Sequence, residues 1–67
     1  VTDFHERLIE EKKQLDERLD RLCNFFGTER YADLGEAERS RLRAQSYFMV
    51  GYSSMLGERL AALEKAP

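Results

Sequence analysis

Along the chain the apolar residues fall into two long series separated by a glycine-marked break. In the first, Phe4, Leu8, Leu15, Leu19, Leu22 and Phe26 recur three and four residues apart, and Lys12 occupies a slot where the alternation calls for another hydrophobe. That spacing lines one face of a helix of about six turns and makes a coiled-coil-like seam. Asp3 or Thr2 stands where an N-cap belongs. The run EEKKQLDERLDR alternates acids and bases into i,i+4 pairs worth ~0.2–0.5 kcal/mol each, the signature of a solvated face. Gly27 follows Phe26 where a left-handed C-cap would sit. Helix 1 is therefore expected over about 3–26 and a connector over 27–35, with one helical turn in ERYA and with Tyr31 and Leu34 plugging the end of the core.

Glu36 and Glu38 are acids placed where the dipole of a first helical turn favours them, so helix 2 is expected over about 36–64. Within it Leu42, Gln45, Met49, Tyr52, Leu56, Arg59 and Leu63 alternate three and four apart and fall in one line. Leu42, Met49, Leu56 and Leu63 read as core, whereas Gln45, Tyr52 and Arg59 are polar at positions the spacing would bury. Two long helices with a short connector predict an all-α fold, an antiparallel hairpin. Across it Leu22 is expected near Gln45, Leu19 near Met49, Leu15 near Tyr52, Lys12 near Leu56 and Leu8 near Arg59. Lys12, Arg59 and His5 would then approach one another away from the turn, with Glu11 as the counter-charge.

The segment Ser46–Gly57 changes this picture, because it has no charge in a chain that is 36% Asp, Glu, Lys and Arg. It is too short to span a bilayer, which takes roughly 20 apolar residues. A pair of helices has one mutual face, yet this stretch is apolar around most of its circumference. Ala44, Tyr47, Gly51, Ser54 and Ala61 form a second, mostly small-residue line, and Phe48 and Met55 flank it. Interior glycines cost a helix ~1 kcal/mol each relative to alanine, so Gly51 and Gly57 need a reason, and close approach of another backbone or a flat ligand supplies one. An exposed apolar patch of this kind marks an interaction surface. A chain of 67 residues also buries only about 60% of its unfolded surface. Self-association into a homo-oligomeric helical bundle follows, with Phe48, Gly51, Ser54 and Met55 as the expected interface.

Composition removes several function classes. Cys23 and His5 are the only cysteine and histidine and stand eighteen positions apart, so nucleophile, base and orienter cannot be assembled from them, and metal ligands do not cluster. No enzyme, cofactor or metal is expected. Cys23 reads as a small buried apolar residue near the end of helix 1. A lone thiol and the lack of a secretory or transmembrane segment point to the cytoplasm, and a net charge of −2 argues against binding long nucleic acid. A small anionic aromatic molecule is another matter. Arg30, Arg39, Arg41 and Arg43 gather around the turn, Arg39 and Arg43 one helical turn apart on one side, and guanidinium groups grip phosphate bidentately. Tyr31, Tyr47 and Tyr52 offer faces on which bases stack. With Gly51 for close approach, and Lys12 and Arg59 as a second cationic pair, the candidate ligand set is Lys12, Arg39, Arg43, Tyr47, Gly51, Tyr52 and Arg59. Salt bridges from the arginines to Glu36 and Glu38, and an interhelical network of Tyr52 and Arg59 with Gln45 or Glu11, are the structural alternatives.

The order FHERLIEEKKQLDERLDRLCNFF, a short connector ending in leucine before acids, and then L-x-x-Q-x-x-x-M-x-x-Y-x-x-x-L-x-x-R from Leu42 to Arg59 resembles the helical hairpin of phage anti-defence sponge proteins. These counter cyclic-oligonucleotide antiphage signalling and the Thoeris system. The resemblance implies a non-catalytic homo-oligomer, typically a hexamer, that holds cyclic di- or trinucleotides, or a cyclic ADP-ribose relative, in pockets between protomers. Gln45, Met49, Tyr52, Leu56 and Arg59 are the positions that match its motif. The competing expectation is a small structural or adaptor hairpin whose patch serves protein contacts alone.

Overall fold

The computed structural model describes residues 2–65, the first of them by its backbone alone. Three helices follow one another: α1 (Thr2–Phe25), α2 (Glu29–Ala32) and α3 (Glu36–Lys65). Helices α1 and α3 pack antiparallel, since Lys12 meets Ser53 and His5 approaches Glu64. The result is a rod of 51 × 15 × 14 Å. Residue 2 already belongs to α1, so the capping position lies outside the described residues, as does the side chain of Thr2. Asp3 is not an N-cap; it sits in the first turn and accepts a hydrogen bond from Arg7 at 2.9 Å.

Among the described residues only Leu8, Leu15 and Leu56 are buried outright, with Met49 and Leu60 packed against them. Leu56 is fully enclosed. Leu19, Leu22 and Leu42 are half-buried and carry the seam toward the turn. On α3 the side turned to α1 therefore runs Leu42, Ser46, Met49, Ser53, Leu56 and Leu60, all buried or half-buried. This corrects the expected line. Gln45, Tyr52 and Arg59 are exposed and Leu63 is more than a third exposed, while Ser46, Ser53 and Leu60 take the inward positions. Both series contain Leu42, Met49 and Leu56. They differ in whether the helix is turned so that small serines or large polar side chains face α1, and serines let the helices approach without burying a charge. Phe4, expected in the seam, is half exposed, and Cys23 is exposed rather than buried.

Gly57 faces α1, and a Cβ added there would stand 3.5 Å from Lys12 Cε, an ordinary contact. Nothing in the hairpin thus requires glycine at this point. Gly57→Ala is expected to raise stability by up to ~1 kcal/mol through helix propensity, read as a shift of the urea midpoint. A lower midpoint would mean that the helices pack more tightly here than described.

The turn is built differently from the expected glycine cap. No glycine among the described residues has positive φ. Helix α1 instead ends in tight i→i+3 bonds, Phe26 N to Cys23 O and Gly27 N to Asn24 O, both 3.2 Å. Thr28 then caps α2, its Oγ1 accepting from Tyr31 N at 3.3 Å and donating to Phe25 O at 2.7 Å. The ERYA turn carries Tyr31 onto Phe25 and Phe26, with ring centroids at 5.9 and 4.9 Å. Tyr31 and the half-buried Leu34 close this end of the core.

Candidate ligand-binding face

Cations were the first candidates for holding a ligand, and the structure divides them into those engaged by their own chain and those left outward. Lys12 belongs to the first kind. Its Nζ donates to Asp16 Oδ2 at 2.8 Å and to Ser53 Oγ at 3.1 Å, and Ser53 Oγ donates to Asp16 Oδ1 at 2.5 Å. Three polar groups at the edge of the seam satisfy one another, and only an aligned register of α1 on α3 permits it. Asp16, not Glu11, is the counter-charge. Residues i and i+1 diverge around a helix, whereas i and i+4 share a face.

The hydrogen bond from Lys12, and then that from Ser53, hold the Asp16 carboxyl below its ordinary value; partial desolvation opposes them and the Lys12 charge adds to them. A carboxyl whose pKa is depressed by folding contributes stability that is fully present above its unfolded value and is lost as pH falls through the folded one. The melting temperature is therefore expected to decline as pH drops below about 4. Asp16→Asn should flatten that acid limb, measured by circular dichroism melts across the range. An unchanged limb would assign the decline to other carboxylates.

Arg39 and Arg43 also work within the chain. Arg39 Nη1 donates to Ala32 O at 2.9 Å and to Leu34 O, and its Nη2 to Glu36 Oε2 at 3.0 Å. It thereby caps the last carbonyl of α2 and one of the connector that follows it. Arg43 Nη1 donates to Tyr31 Oη at 2.8 Å, and its Nη2 lies 3.9 Å from Glu36. Both arginines brace the turn. At the open end His5 Nε2 stands 3.9 Å from Glu64, beyond hydrogen-bond reach, and has no hydrogen-bond partner among the described residues.

Arg59 and Arg41 are the outward cations of α3 nearest the apolar face. The Arg59 guanidinium carbon sits 5.9 Å from the centroid of the Phe4 ring, a cation–π contact, and no carboxylate pairs with it among the described residues. Arg41 reaches only Glu38, one turn back, at 2.8 Å on an exposed surface, where such pairs contribute little. Between them α3 presents an open groove of about 510 Å³ lined by Arg41, Ala44, Gln45, Phe48, Met49 and Tyr52. Every lining residue comes from α3, so the groove has a floor and no facing wall. Phe48 is 78% and Tyr47 77% exposed, and Tyr52 and Met55 are about half exposed. Tyr52 makes no interhelical hydrogen bond among the described residues, and the Gln45 amide reaches only Met49 Sδ, at 3.9 Å.

Of the residues singled out from the sequence, Tyr52 lines this groove; Tyr47, Gly51 and Arg59 stand outward beside it; Lys12, Arg39 and Arg43 lie apart, bound within the hairpin. Ser54 is exposed on the far side of Gly51. Arg41 was counted with the arginines near the turn but left out of the ligand set, and Phe4 was placed in the seam. The signal for Arg41 was present, since it stands four residues before Gln45 and seven before Phe48 on the same outward line.

The hairpin is thus a rod of two helices with one small core and a braced turn, carrying an unwalled aromatic and cationic groove on α3. The chain belongs to the Sequestin family, whose model matches residues 2–62. That match agrees with the resemblance to phage anti-defence sponges, and the family name points to sequestration of a small ligand rather than to catalysis. No curated protein and no solved structure matches the chain. No helix among the described residues is long and apolar enough to cross a membrane.

Proposed function

We propose that the protein acts in the host cytoplasm as a phage anti-defence sponge. It self-associates through α3 and holds a cyclic di- or trinucleotide, or a cyclic ADP-ribose relative, between protomers without chemical change. The observation that carries this reading is the groove itself: ring faces at Phe48 and Tyr52, the guanidinium group of Arg41, and a lining drawn from α3 alone, with Arg59 outward beside it over the Phe4 ring. Bases stack on aromatic rings, and phosphates take paired N–H donors from arginine. Tyr47 and Gly51 flank the same face, whereas Lys12, Arg39 and Arg43 serve the hairpin. Sequestration demands tight binding and abundance, since the concentration of sites must exceed both the messenger and the dissociation constant. It demands no turnover.

A ligand bound only by the folded assembly, at a hundredfold excess over its dissociation constant, adds ~2.7 kcal/mol of stability. Thermal melts with cyclic di-AMP, cyclic tri-AMP and cyclic ADP-ribose are expected to show a rise of several degrees with at least one of them. No rise with any at saturating concentration would favour the adaptor reading, in which the apolar face meets protein alone.

A further inference from the structure

Arg39, Arg41 and Arg43 each spend N–H donors on acceptors of their own chain. Arg59 does not. Among the described residues it makes no ion pair, and its guanidinium carbon lies over the Phe4 ring, 5.9 Å from the centroid. The sequence explains why. Three and four residues to either side of Arg59 stand Leu56, Met55, Ala62 and Leu63, the positions that share its side of a helix, and none of them carries a charge. Glu58, next in the chain, diverges around the helix. The acids of the open end are otherwise placed: Asp3 accepts from Arg7 at 2.9 Å, and Glu64 stands 3.9 Å from His5. With no acid on its own side of α3, this arginine takes the face of an aromatic ring contributed by α1.

That choice has a chemical consequence. A carboxylate occupies the N–H fork of a guanidinium and cancels its charge, whereas a ring attracts the cation through its π face and leaves the charge uncancelled. Arg59 therefore keeps both charge and donors for an anion. An exposed arginine is also rich in rotamers, and ordering it opposes binding. A ring that already limits its positions removes part of that cost. Phe4 belongs to the first turn of α1 and is 50% exposed, outside the leucine core, so its contact with Arg59 gives this aromatic residue a use that packing does not. Along α3, Arg59 follows Tyr52 by seven residues, about two turns and ~10.5 Å of rise. It thus stands on the Tyr52 side, beyond the end of the groove, where the phosphate of a base stacked on Tyr52 can extend toward it.

We propose that Phe4 is a positioning residue for the ligand: its ring holds the Arg59 guanidinium ready, donors outward, to anchor a phosphate beside the groove. This rests on the sequestering reading and adds to it a part for α1. The first helix contributes no lining residue to the groove and takes part in binding through this one contact between the helices.

A double-mutant cycle tests it. Phe4→Leu keeps an apolar side chain and removes the ring, Phe4→Tyr keeps the ring, and Arg59→Gln keeps most of the aliphatic stem and removes the charge. Circular dichroism checks that each variant folds. Affinities for cyclic di-AMP, cyclic tri-AMP and cyclic ADP-ribose are measured by calorimetry, and the cycle is run with each probe that the wild type binds. The expected result is a loss of about tenfold or more in Arg59→Gln, which removes charge-assisted hydrogen bonds. Phe4→Leu should lose about two- to fivefold, and Phe4→Tyr should restore wild-type affinity. In the Arg59→Gln background Phe4→Leu should cost nothing further, because a residue that acts through another loses its effect once the other is gone. An equal loss from Phe4→Leu with and without Arg59 would mean that the ring acts through the fold or touches the ligand itself. That outcome, or unchanged affinity in either single variant, overturns the positioning role and leaves the sponge reading in place. Absence of binding by the wild-type protein to all three probes overturns both.

Discussion

Leu56→Ala is expected to unfold the hairpin or bring its melting temperature close to ambient. Among the described residues Leu56 is the one side chain fully enclosed, and it closes a core that otherwise contains only Leu8 and Leu15 as buried residues. Truncating a buried leucine costs on the order of 2–5 kcal/mol, the lost transfer energy plus the cavity left behind. A chain of 67 residues has roughly 3–10 kcal/mol of stability in all. With so few neighbours to relax inward, the cost should fall in the upper half of its range. Leu56→Met, which keeps the volume, should cost less than ~1.5 kcal/mol. Circular dichroism melts of the two variants check the pair. A cooperative Leu56→Ala melt within a few degrees of wild type would show that this leucine is not the centre of the fold.

Phe48→Glu should have an equally large effect for the opposite reason. Phe48 is 78% exposed in the single hairpin, and a substitution on a true surface changes stability by no more than about 0.5 kcal/mol. If a second copy covers this face, the new carboxylate is buried without a partner. The cost is then ~3 kcal/mol or more, at least about a hundredfold in the association constant. Sedimentation velocity is expected to show the variant as a monomer at concentrations where the wild type is associated, with reduced helicity because the lone rod is marginal. Unaltered association would leave Phe48 facing water.

The two predictions divide between what the sequence makes legible and what it hides. The all-helical pair, the ERYA turn and the outward patch at Phe48 and Met55 follow from spacing and from the charge gap. The rotation of α3 does not. Leu42, Met49 and Leu56 are seven residues apart, and a three-four alternation through them can pass through Gln45, Tyr52 and Arg59 or through Ser46, Ser53 and Leu60. In a segment apolar all round, periodicity supplies no phase. The polar content of the two series does: small serines tolerate a close helix contact, and Arg59 does not. The partner of Lys12 was equally open to reading, because Asp16 stands at i+4 while Glu11, next in the chain, points elsewhere. What no pattern of hydrophobes carries is the use of Arg39 and Arg43, whose hydrogen bonds to Ala32, Leu34 and Tyr31 arise only once the connector folds back. That engagement moves the candidate cations from the turn to Arg41 and Arg59.

Everything proposed about a ligand presupposes that α3 does not face water. The most direct check is the mass of the wild-type protein by sedimentation equilibrium from micromolar to hundreds of micromolar, paired with melts at the same concentrations. Covered copies predict a mass that is a multiple of 7.9 kDa and a melting temperature that rises with concentration. A folded, cooperatively melting species of 7.9 kDa throughout, with a melting temperature independent of concentration, would contradict it.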